Sequence, residues 1–162
     1  MTKVLQHKKF EYDVIIVGAG PAGLGVGIIL EKLGMNYIIL EKNSIGSSFR
    51  KWPKETRFIS PSFTGNFFKM VDLNAITPDT SPAFYLSTEH PTGLDYAKYL
   101  VSISKFFDLN VQTKVLVKKV EKLKNYFNIK TQNKEYKSNL NPDDYCIDST
   151  NTSEKAFKIL IF

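Results

Sequence analysis

Gly18, Gly20 and Gly23, with Ala19, Pro21 and Ala22 between them, form a GxGxxG. The run before it, Tyr12 to Val17, is apolar and rich in β-branched residues, as in a strand covered on both faces, and the residues after it have helical spacing. In that setting the first glycine permits a tight turn, the second lets a pyrophosphate approach the backbone, and the third lets the helix close on the strand. Backbone N–H groups and the positive helix end would then face phosphates, the dipole part alone contributing about 0.3–1 kcal/mol. Glu41 follows the next apolar run, Asn36 to Leu40, 18 residues beyond Gly23. A carboxylate there can accept from both hydroxyls of a ribose and repel a 2'-phosphate, which favours NAD or FAD over NADP, although adjacent Lys42 weakens the exclusion. A βαβ unit whose glycines serve only packing, with Glu41 an exposed cap, would carry the same residues.

The elements that must position these groups can be traced along the chain. Pro21 suits a first helical turn, Leu24, Ile28 and Leu33 share an inner stripe, and Gly34 can end the helix. Residues 12–41 therefore read as a βαβ core. Residues 43–93 are loop-rich and hold Pro53, Pro61, Pro78, Pro82 and Pro91 among the chain's seven prolines. Their aromatic residues, Phe49, Trp52, Phe58, Phe63, Phe67, Phe68, Phe84 and Tyr85, are too many to leave in water, so the segment should pack on something. Thr92 and Asp95 form a capping box that opens a helix over 94–107, with Leu94, Ala97, Val101 and Ser104 along one face. Leu109 to Val111 reads as a short strand, and residues 115–139 as a small antiparallel meander with turns at Asn125 and at Asn133 and Lys134. Asp144 to Ile147 reads as a further strand, and Phe157 to Phe162 is a final apolar stretch. The fold expected is α/β, a Rossmann-like FAD/NAD(P)-binding domain with a parallel sheet plus the meander, as one domain over 1–162.

Composition narrows the chemistry. The 162 residues are 43% hydrophobic and 23% charged, which suits one globular unit with a sizeable core. A single cysteine, Cys146, excludes an internal disulfide, a cysteine-based zinc site and CxxC dithiol transfer within the chain. Its two histidines, His7 and His90, are too few for a histidine metal cluster, and no serine sits in a nucleophile elbow. The net charge of +6 comes almost wholly from lysine, Arg50 and Arg57 being the only arginines, so it reads as solubility rather than nucleic-acid recognition. Residues 14–30 carry no charge, but five glycines and Pro21 make them a poor spanning helix. The expectations are a small-molecule cofactor, no nucleic acid, no membrane and a cytoplasmic location.

From Tyr12 through Lys42 the sequence resembles the amino-terminal FAD-binding segment of two-dinucleotide-binding-domain flavoprotein oxidoreductases, flavin monooxygenase-like enzymes included. The likeness continues over Ile45 to Trp52, similar to the family's GGxW segment, although Ser47 stands where the family usually has a second glycine and Phe49 where it usually has tryptophan. It implies FAD as cofactor and flavin-side contacts from Gly46, Ser47, Ser48, Phe49 and Trp52. Residues 110–120 resemble the segment whose valines approach the adenine, which implies a backbone contact at Val117; a core strand explains the same valines. The resemblance also implies NAD(P)H as electron donor, but no catalytic acid, base or nucleophile can be named.

The likeness runs from about residue 11 to residue 137. Beyond it the family's ATG-type turn has no counterpart, the nearest stretch being Tyr145 to Thr150, and no glycine follows Gly93 to build a second GxGxxG for the nicotinamide. The expectation is a truncated or partial enzyme, divergent over 140–162, with the NAD(P)H site not present in this chain. The alternative is a non-catalytic dinucleotide-binding module that needs a partner. Truncation would leave the aromatic loop exposed and favour self-association.

Overall fold

A computed structural model describes residues 11–63, 72–124, 126–139, 147–148 and 159–161. Its centre is a parallel sheet. Strand β1 (Val14–Val17) is flanked on one side by β2 (Tyr37–Glu41) and then β3 (Val111–Thr113), and on the other by β8 (Ile159–Ile161) and β7 (Ile147–Asp148). The four residues of β1 pair in parallel with Tyr37 to Leu40, which brings the carboxyl ends of β1 and β2 together. Both strands are covered on their two faces, and this explains why neither alternates apolar with polar residues.

One face of the sheet carries α1 (Pro21–Lys32) and α3 (Gly93–Phe106), with Ile16, Leu24, Ile28, Ile39, Tyr96, Leu100 and Ile103 in their shared core. The other face receives the antiparallel meander β4 (Val117–Lys122), β5 (Tyr126–Thr131) and β6 (Glu135–Asn139), whose Phe127, Ile129 and Tyr136 meet Ile15, Ile38 and Leu40. Full burial of each such side chain contributes about 1.5–3 kcal/mol. The Tyr136 hydroxyl also donates to Gln112 Oε1 at 2.6 Å, joining meander to parallel sheet.

Several boundaries and faces differ from the sequence expectation. Strand β1 starts at Val14 rather than Tyr12, because Tyr12 forms a bridge with Ser138 of the meander. Leu33 caps α1 and is 67% exposed, while Leu30 takes the inner position; Gly34, at φ 64°, ends the helix as expected. Helix α3 starts at Gly93, one residue early, and its buried face runs through Tyr96, Ala97, Leu100, Ile103 and Ser104, with Leu94 exposed. Ala97 and Ser104 of the expected stripe are thus buried, and Tyr96, with more apolar surface, packs inward where Leu94 does not. The segment read as loop holds a 3-10 turn (Phe49–Lys51) and a short α2 (Pro82–Leu86). Beside β1, the outer position belongs to β8 from the final apolar stretch, with β7 beyond it. Phe67, Phe68, Asn125, Cys146, Tyr145 and most of 140–162 lie outside the described residues.

Candidate dinucleotide-binding site

The carboxyl end of β1 runs straight into the glycine turn. Gly18 sits at φ 109°, a backbone conformation that side chains disfavour, and its N–H donates to the Leu40 carbonyl at 2.8 Å. Gly23 serves contact rather than conformation: a Cβ there would lie 2.1 Å from the Gly18 carbonyl oxygen. Gly20 differs from both. Its φ of −85° is open to any residue, and a Cβ on it would meet nothing within 4 Å. The space over Gly20 is thus free on the side where α1 begins.

Gly20 is the N-cap of α1 and has no side chain to satisfy the first turn. The first bond in this turn runs from Leu24 N–H to the Gly20 carbonyl at 3.0 Å. The N–H groups of Gly20, Ala22 and Gly23 precede it and have no helical acceptor, while Pro21 has no N–H to satisfy. Open space and donors without an acceptor among the described residues coincide at the positive end of a helix, the arrangement that receives an anion. A Cβ at Gly20 would occupy the volume through which a diphosphate must come.

Glu41 ends β2 beside this turn and is 7% exposed, so it is a buried acid and not a surface cap. Its Oε2 accepts from the Ala19 N–H at 2.9 Å and its Oε1 from the Asn43 N–H at 2.8 Å; the Ser47 hydroxyl donates to Oε1 at 3.4 Å. Hydrogen bonds of this kind give the buried carboxylate oxygens the partners that burial requires. The Ala19 carbonyl in turn accepts from the Gly46 N–H at 3.1 Å, so the glycine turn and the turn after β2 are tied through one peptide unit. Gly46, at φ 67°, also lies against Ala97 of α3, where a Cβ would meet Ala97 Cα at 3.1 Å.

The predicted site residues thus fall into two groups. Gly18, Gly20, Gly23, Glu41, Gly46 and Ser47 converge, with Pro21 and Ala22 opening the helix beside them. Lys42 and Ser48 are exposed. Phe49 and Trp52 point into an aromatic cluster with Phe58 and Tyr96, their ring centroids 4.8–5.9 Å apart across the contacts Phe49 makes. Burial raises the Tyr96 phenol well above its usual value, and its hydroxyl donates to the Asn74 carbonyl at 2.8 Å. Val117 packs at the edge of the core between meander and sheet, but the segment leading to it leaves from the acid itself, the Val115 N–H donating to the Glu41 carbonyl at 2.9 Å.

Ala19 and Asn43 escaped the sequence reading because both act through backbone N–H groups that any non-proline residue supplies. Gly93 and Gly27 had a visible signal in being small. A Cβ on Gly93 would lie 2.3 Å from the Phe49 carbonyl oxygen, and one on Gly27 would lie 2.8 Å from Ile39 Cδ1. His90 is an exposed loop histidine, its Nδ1 3.0 Å from the Phe58 carbonyl oxygen. Among the described residues, no group of three His, Cys, Asp or Glu could hold a metal ion, and no helix is long and apolar enough to cross a membrane. Chemically, the site offers donors for a diphosphate and acceptors for a diol.

Comparison with known proteins fits this geometry. The sequence pattern of the pyridine nucleotide-disulphide oxidoreductase family matches residues 15–140. The chain belongs to that family. An uncharacterized oxidoreductase CzcO from Bacillus velezensis is 33% identical over 129 residues, which cover 78% of this chain and 34% of that protein. An FAD-dependent oxidoreductase domain-containing protein 2 from Danio rerio is 29% identical over 117 residues, covering 66% of this chain and 17% of the relative. Among solved structures, a bacillithiol disulfide reductase from Staphylococcus aureus superposes with a TM-score of 0.61 at 24% identity, over 80% of this chain and 36% of that one. A flavin-containing monooxygenase from Stenotrophomonas maltophilia gives a TM-score of 0.63 at 18% identity, over 80% and 37%. These likenesses establish a Rossmann-like fold of the kind found in flavoprotein oxidoreductases. The chain spans about a third of the length of the CzcO relatives it matches.

Proposed function

We propose that this chain is the FAD-binding domain, one unit over 1–162, of an NAD(P)H-dependent oxidoreductase, monooxygenase-like in its chemistry. The observation that carries the reading is the open face of Gly20 above N–H groups without an acceptor among the described residues, with the buried carboxylate of Glu41 one turn away. These residues fit the adenosine diphosphate half of FAD: Gly20, Ala22 and Gly23 would hold the pyrophosphate, and Glu41 the adenosine ribose. Val117 would lie at the adenine, and Gly46, Ser48, Phe49 and Trp52 on the flavin side, with Ser47 between them and the ribose acid Glu41. The bound flavin would supply the redox chemistry by accepting hydride from NAD(P)H and passing electrons to an acceptor. The chain's own part is to bind, orient and hold the negative phosphates at a helix end.

The second reading is a dinucleotide-binding module without turnover that needs a partner; phosphate donors at the start of α1 and the buried Glu41 would serve that role equally. Flavin absorbance after gentle purification, and uptake on adding FAD, test the first reading; no flavin and no uptake would refute it. Adding NADH or NADPH to the loaded protein separates the two, since bleaching without a partner marks an enzyme. Gly20→Val should abolish uptake while leaving the fold intact. We further propose that the protein works in the cytoplasm, away from nucleic acid and membranes. Self-association through the loop that exposes Ile59, Phe84 and Tyr85 completes the proposal, and sedimentation would report it.

A further inference from the structure

Glu41 has more donors around it than a ligand-binding acid can keep. An ionised carboxylate offers about four acceptor positions. Three are engaged: the Ala19 N–H at 2.9 Å on Oε2, and the Asn43 N–H at 2.8 Å and the Ser47 hydroxyl at 3.4 Å on Oε1. A ribose diol donates two hydrogen bonds, so its arrival asks for one position more than remains. The two N–H donors belong to backbone fixed on both sides, Ala19 by the Gly46 bond to its carbonyl and Asn43 by the bond from the Lys114 N–H to its own carbonyl at 3.2 Å. Only Ser47 is held by a rotatable side chain. Its contact is the longest of the three, and the residue is half-buried. Its backbone is anchored independently, Ser47 N–H donating to the Ser44 carbonyl at 2.9 Å.

We infer that Ser47 is a specificity-determining residue that competes with the adenosine ribose for Glu41 and thereby lowers the chain's affinity for ligands carrying a free 2',3'-diol. The inference rests on the FAD reading and refines it: Ser47 acts at the ribose acid instead of at the flavin. Displacing the hydroxyl returns it to solvent or to a new partner, so the ligand gains less from Glu41 than it would from an uncontested carboxylate. Removing the hydroxyl leaves both backbone donors in place and frees one acceptor position.

The experiment measures the Kd of FAD, ADP and 2',3'-dideoxy-ADP by titration calorimetry for the parent chain, Ser47→Ala and Ser47→Gly, with circular dichroism confirming that each is folded. The expected result is that both variants bind FAD and ADP about three- to tenfold more tightly, while dideoxy-ADP binds all three proteins alike. Unchanged or weaker binding of FAD and ADP by the variants overturns the inference and leaves the FAD reading standing. An equal gain for dideoxy-ADP also overturns it, because the effect would then not pass through the diol. Failure of the parent chain to bind FAD or ADP at all defeats the reading itself, and the inference with it.

Discussion

Three glycines in one motif do three different things, and substitution should separate them. Gly23→Ala forces a Cβ onto the Gly18 carbonyl oxygen and should destabilise the fold by about 3 kcal/mol, seen as a lower urea midpoint. Gly20→Ala meets nothing within 4 Å at an ordinary φ, so stability should move by less than about 0.5 kcal/mol, while FAD affinity falls at least about tenfold. A loss of stability in Gly20→Ala as large as in Gly23→Ala would contradict the assignment of the open space. The motif was legible because glycine is the only residue that can announce such a site by lacking a side chain. What could not be read was the partner of each donor. Nothing in the types of Ala19 and Asn43 says that their N–H groups converge on Glu41, since the backbone is the same at every position.

At the level of elements, α3 shows how a short signal sets a long helix. Thr92 Oγ1 accepts from the Asp95 N–H at 3.2 Å and donates to Asp95 Oδ2 at 2.6 Å, closing the capping box foreseen from the sequence. Thr92→Ala should lower stability by about 1 kcal/mol. The Thr92 hydroxyl, and after it Lys98, hold the Asp95 carboxyl below its ordinary value of 3.8. A depressed folded-state pKa means that this stabilisation is present above pH 3.8 and is lost as pH falls through the lower folded value. Asp95→Asn should therefore be less stable than the parent at pH 7, and the gap in Tm should close below pH 3.8. The helix was readable from its cap and its buried face in part, Ala97 and Ser104 being buried as expected and Leu94 exposed. Tyr96 and Tyr99 join that face because their rings meet loop residues far away in the chain, Tyr99 accepting from the Ile76 N–H at 3.0 Å.

Across the whole molecule, two cores share one sheet, and polar joins tie the meander to that sheet outside the apolar contacts. Tyr136 supplies one of these joins, so Tyr136→Phe should cost about 1 kcal/mol through loss of its bond to Gln112. A cost indistinguishable from zero in urea unfolding would show that packing alone seats the meander. The βαβ core and the meander were both apparent from periodicity, since each strand's neighbours are near in sequence. The pairing of β1 with β8 was not, because it joins Ile15 to Ile159 across nearly the full chain and depends on which apolar run reaches the free side of β1. The aromatic segment was expected to pack, and Phe49 and Phe58 do so against Tyr96, with Trp52 against both of them, whereas Phe84 remains outside. Trp52 is the chain's sole tryptophan. Its indole therefore gives the protein a native optical reporter: emission excited selectively from this ring follows the segment between the glycine turn and α3, and a yellow chromophore arriving nearby would extinguish it without any label being attached.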